Sequence, residues 1–139
     1  MKETIKAEWL NDLSFEVEVD GHKLYMDTSQ EHGGKNTGPR PKLMMMTALA
    51  GCTCMDVVSI LKKMRVEFEG VNISVEGELT DEHPKQYKSM HVTYTFKGKG
   101  LPMDKLEKAV NLSEERYCGV SAVYRKVMPV TSEIKIEEI

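Results

Sequence analysis

Aromatic side chains are scarce in this chain, at 6% of 139 residues, so a platform for stacking single-stranded bases has little to be built from. Neither charge sign dominates. Nineteen Lys and Arg against 22 Asp and Glu leave a formal net charge of -3, which gives no global pull toward nucleic acid or an anionic membrane. Cysteine is limited to three residues, an odd number that argues against a disulfide scaffold and for a reducing compartment. No C-x-x-C pair occurs, and His22, His32, His83 and His91 form no ligand-like cluster, so no metal site is expected. No Ser-His-Asp arrangement is visible, and the one glycine-rich stretch lacks the spacing and final Lys-Ser/Thr of a phosphate-binding loop. The opening residues, Met1 to Lys6, carry both charge signs where a secretory signal needs a basic start and an apolar run. Together these absences predict a cytoplasmic protein with no cofactor and with no nucleic-acid or membrane partner.

The residues that are present describe a folded domain. Apolar residues at 40% and charged residues at 29% are far from the composition of disorder, and the length suits one domain over residues 1–139. Short alternating patterns over Lys6–Leu10 and Ser14–Val19, the turn pair Asp20-Gly21 and an extended His22–Asp27 predict an antiparallel meander with one wet face. Residues Thr28 to Arg40 are polar and glycine-rich and read as a loop. Pro41 suits the first position of a helix running to about Lys63, roughly 35 Å long. That helix is apolar on nearly every side, so it has to be surrounded. Its Leu43–Leu61 stretch approaches a membrane span in length, but Asp56 would be costly in lipid, and a helix buried within protein is expected instead. A lone small domain struggles to wrap it, and a partner subunit would solve the problem.

Beyond the helix, Val71–Gly77 and Met90–Phe96 alternate cleanly and predict a hairpin. Pro102 starts a second helix through about Tyr117, kinked or broken at Asn111–Glu114, and the Ile134 and Ile136 alternation predicts an edge strand. Strands, helix, strands, helix, strand is an α+β order with antiparallel sheets packed against a long central helix.

The chemistry-bearing residues are the cysteines. On a helix Cys52 and Asp56 are four apart and share a face, whereas Cys54 lies about 200° around from Cys52. Two thiols at that spacing do not bond to each other. A cysteine is also commonly a small buried hydrophobe, and the periodicity does not separate that reading from a reactive one. Gly51 permits close approach of either a helix or a substrate. Met44, Met45 and Met46 read as core filler, with a site for a small apolar ligand as the functional alternative.

Two stretches resemble a known family. Gly38-Pro39-Arg40-Pro41 followed by Ala48-Leu49-Ala50-Gly51-Cys52-Thr53 and Met55-Asp56-Val57-Val58 is similar to the first-helix motif of the OsmC/Ohr proteins. Those are the osmotically inducible and organic-hydroperoxide-resistance proteins. Tyr117-Cys118-Gly119-Val120-Ser121 resembles the family's second cysteine motif. The resemblance implies an intertwined homodimer with its active sites at the subunit interface. It implies that Cys52 attacks an organic hydroperoxide, that Cys118 resolves the resulting sulfenic acid as a disulfide, and that a dithiol reductant, lipoyl-type in related enzymes, resets the pair. This chemistry needs Cys52 as a thiolate. Here the chain departs from the pattern. Peroxidase members carry a glutamate two residues after the position matching Pro41, where this chain has Leu43, and an arginine in the N-terminal strands, whereas no arginine precedes Arg40. Arg40 is the candidate substitute, with Arg116 and Arg125 behind it.

Overall fold

The structure, a computed structural model, describes residues 1–139. The chain divides into two compact units, Met1–Met45 and Met46–Ile139. The first is the expected meander. Strands β1 (Lys6–Asn11), β2 (Ser14–Val19) and β3 (His22–Met26) pair antiparallel in that order. Asp20 and Gly21 take positive φ at the β2–β3 turn, the conformation a two-residue hairpin of matching twist requires.

The glycine-rich loop is organised around one carboxylate. Asp27 is 3% exposed and accepts hydrogen bonds from the Thr37 hydroxyl (2.7 Å) and from the backbone N–H groups of Thr28 (2.7 Å), Lys35 (3.1 Å) and Thr37 (3.1 Å). The Thr37 hydroxyl, followed by those N–H groups, holds the Asp27 carboxyl down at about 2. The glycines have a packing reason. A Cβ on Gly38 would lie 2.5 Å from the Tyr25 carbonyl oxygen, and one on Gly34 would collide with Thr28 and Asp27. The stretch expected to be a loop is one, held by these bonds, with a 3₁₀ turn at Gln30–His32.

A second 3₁₀ turn at Pro41–Leu43 leads into α1 (Met44–Lys63), so the helix begins where Pro41 predicted, with a tighter first turn. The second unit then follows as β4 (Gly70–Leu79), β5 (Tyr87–Gly98), α2 (Met103–Leu112), α3 (Gly119–Arg125) and β6 (Val130–Glu138). β4 and β5 form the expected antiparallel hairpin, and β5 is the central strand of a sheet ordered β4-β5-β6. Alternate residues Met90, Val92, Tyr94 and Phe96 of β5 are buried. The same core holds Leu49, Val57 and Leu61 from α1 and Leu106, Ala109 and Val110 from α2.

One expectation is corrected. β6 runs parallel to β5, from Met90 opposite Val130 to Gly98 opposite Glu138, so this sheet is mixed rather than antiparallel. The helices between the two strands return the chain to the end where β5 began, as a crossover does. The second helical stretch runs to Tyr117 as expected and breaks within Asn111–Glu114: α2 ends at Leu112, Ser113–Tyr117 continue as one π turn, and α3 starts after Cys118. The chain alone does not surround α1, as expected for a domain of this size. Its buried residues are the single stripe Leu49, Thr53, Val57 and Leu61, while Met55 is 75% exposed. Only 17% of its most apolar window is covered by the chain itself, and by length and composition alone the 41–63 segment could cross a membrane.

Candidate functional site

The site is assembled by α1, the π turn and the start of α3. Cys52 and Asp56 lie one helical turn apart on α1, and both are half-buried. Cys118 sits in the extended residue that caps α3 and is 2% exposed. The two sulfurs and a carboxylate oxygen of Asp56 all lie within 4.8 Å of one another. The structure therefore brings together the two cysteines that the resemblance pairs. It adds a carboxylate that the sequence placed on the same helix face without assigning it a role.

Cys118 is closely held. Its backbone N–H donates to the Ser113 carbonyl at 2.7 Å, the five-residue bond that defines the π turn, and its carbonyl accepts from Ala122 at 3.0 Å. Its sulfur accepts from the Ser121 N–H at 3.3 Å, which caps α3. Burial pushes the Cys118 thiol up to about 12, and its hydrogen bond with Cys52 adds to the rise against the opposing N–H groups of Ser121 and Val120. At neutral pH Cys118 is therefore a thiol.

Asp56 is fixed from the other side, because the fully buried Ser113 donates its hydroxyl to Oδ2 at 3.0 Å. A further polar chain runs from the buried Tyr94 out to the surface. The Tyr94 hydroxyl donates to Glu114 Oε1 at 3.4 Å, and Glu114 Oε2 pairs with Arg125 Nη2 at 3.0 Å. Arg125 also donates to the Glu114 carbonyl at 3.3 Å. Burial, then the Glu114 charge, raises the Tyr94 hydroxyl well above its ordinary range.

Arg40 donates to Asn36 Oδ1 at 2.7 Å and to the Gly38 carbonyl at 3.5 Å, bonds within its own loop in the first unit. Arg116 is exposed, and Arg125 has the carboxylate partner just described. Cys54 stays out of the cluster, as its angular position predicted. It borders a shallow hollow with Met55, Val58, Ser59 and Lys62, and burial raises its thiol. Ser113, Tyr94 and Glu114 were missed by sequence reading, which offers no local signal for them. For Asp56 the signal was the four-residue step from Cys52.

Residues 33–133 match the sequence pattern of the family described as OsmC-like protein. The chain is 30% identical over 132 residues to Protein YhfA of Escherichia coli K12, covering 94% of this chain and 96% of that one. A crystal structure of a protein from Aquifex aeolicus VF5 superposes with a TM-score of 0.82 at 25% identity, covering 99% and 98% of the two chains. The organic hydroperoxide resistance protein OhrB of Bacillus subtilis shares the fold, with a TM-score of 0.63 at 18% identity over 97% and 98%. With its matched span, its relatives and its two-cysteine cluster in agreement, this chain belongs to the OsmC/Ohr family.

Proposed function

We propose that this chain is a thiol-dependent peroxidase that reduces organic hydroperoxides through Cys52 and Cys118, working as a homodimer. The observation that carries this reading is the approach of the two sulfurs to within 4.8 Å from separate elements, with Cys52 the more accessible. The Cys52 thiolate attacks the terminal peroxide oxygen; the O–O bond breaks, the alcohol leaves with a proton, and Cys52 becomes a sulfenic acid. The Cys118 sulfur then displaces that hydroxyl as water and forms the disulfide, which a small dithiol reduces by exchange.

The rival reading, a binding protein for a small apolar molecule, has less support: the apolar hollow beside Cys54 is lined by Met55, Val58, Ser59 and Lys62, not by Cys52 or Cys118. The test is consumption of cumene hydroperoxide by the reduced protein, with free thiols counted before and after one equivalent. Two thiols per chain should disappear, and Cys52→Ser should abolish turnover. Unchanged turnover in that variant, or peroxide loss without thiol loss, overturns the mechanism.

A further inference from the structure

The resolving step has a difficulty that the site itself answers. Cys118 is buried and protonated at neutral pH, and a thiol is a far poorer nucleophile than a thiolate. Something must take its proton as the sulfur–sulfur bond forms. The titratable and charged groups around it are Cys52 and Asp56 from α1, Tyr94 from β5, Tyr124 from α3, and the Glu114–Arg125 pair. Cys52 is the electrophile in this step. The hydroxyls of Tyr94 and Tyr124 are protonated, and both are raised further by burial. Glu114 is engaged by Arg125 and Tyr94. That leaves one carboxylate whose oxygen lies within 4.8 Å of both sulfurs, and Ser113 fixes it there through Oδ2.

We propose that Asp56 is the proton relay of disulfide formation, taking the proton from Cys118 as its sulfur attacks and delivering it to the group that leaves Cys52. The inference rests on the two-cysteine reading above and extends it to a third residue. For a Cys52 sulfenic acid the balance is complete: the Cys118 S–H bond and the Cys52 S–O bond break, the disulfide forms, and the proton carried by Asp56 leaves with the hydroxyl as water. The four-residue step on α1 holds the carboxylate beside the electrophile, and the π turn brings both Ser113 and Cys118 to it.

A test independent of peroxide uses an aromatic disulfide such as 5,5′-dithiobis(2-nitrobenzoate) on the reduced protein carrying Cys54→Ser. A first aryl thiolate is released when Cys52 is modified, and a second when Cys118 displaces the remaining one. Asp56→Asn should leave the first release within about threefold and slow the second by roughly 10²-fold or more at pH 7, in the range that general-base catalysis supplies. Its second step should then climb about tenfold per pH unit, because only the thiolate fraction attacks. Asp56→Glu should recover most of the rate, and Ser113→Ala, which unfastens the carboxylate, should fall between. A second release in Asp56→Asn that keeps the parent rate and pH profile overturns the relay, as does equal slowing of both steps without a change in pH dependence. If hydroperoxide is not consumed but the second release depends on Asp56, the peroxidase reading fails and the relay stands.

Discussion

At the scale of single residues, two carboxylates organise the chain in opposite ways. Asp56 is held by one hydroxyl beside two sulfurs, a placement suited to moving a proton. Asp27 is held by four donors and is suited to staying ionised. Its folded-state value of about 2 lies below the ordinary 3.8, so its contribution to stability is present above about pH 4 and is lost as pH falls through 2. Thermal unfolding of the parent and Asp27→Asn should show a gap that is constant from pH 7 to pH 5 and closes toward pH 2. An equal gap at pH 2 would mean that the loop depends on shape rather than on this charge. Of the site residues, Cys52 and Asp56 were legible together, because a helical period is written in the sequence. The approach of Cys118 was implied by a family resemblance. Ser113 and Tyr94 join the site through tertiary contacts between segments far apart in the chain, and no local pattern encodes those.

At the scale of elements, the signals that succeeded were periodicities with punctuation. The two-residue alternation of β4 and β5, the Asp20-Gly21 turn and the proline before α1 each have a local physical cause and were read correctly. Strand direction has no such cause: Ile134 and Ile136 alternate identically whichever way β6 runs, and only the helical crossover made it parallel. The π turn was legible only as a disturbance near Asn111–Glu114. A π turn amounts to one residue too many in a helix, and here it closes with the bond from the Cys118 N–H to the Ser113 carbonyl. Deleting the exposed Glu115 should convert the turn to α geometry and leave Cys118 near its present angle, because the same N–H then meets the Ser113 carbonyl four residues back. The variant should keep its helical circular dichroism and its oxidant-driven disulfide formation, with Cys118 protected from alkylation after treatment. Loss of the Cys52–Cys118 bond in it would show that the π turn itself is needed for the pairing.

At the scale of the whole molecule, the open apolar surfaces are the feature most in need of a cause. α1 buries one stripe and leaves Met55 exposed on the opposite side and Met45 exposed in its first turn, while in the first unit every residue of β1 is exposed and Trp9 is 62% so. Covering a single large apolar side chain contributes on the order of 1.5–3 kcal/mol, so leaving several uncovered along one helix is an unfavourable end point for a folded chain. A second copy presenting the same faces would cover them isologously, each helix against its mate, and would leave Cys52 close to the seam. The expected particle therefore has about twice the 15.8 kDa chain mass by light scattering. Met55→Glu places a like charge on both sides of such a seam and should shift the particle toward the monomer, with a loss of thermal stability that depends on protein concentration. Because Met55 belongs to neither the dithiol nor its proton relay, any fall in peroxide turnover in that variant should be reversed by raising the concentration. A monomeric parent protein, or turnover that ignores concentration in the variant, would separate the chemistry from assembly and assign the open face of α1 to some other cover.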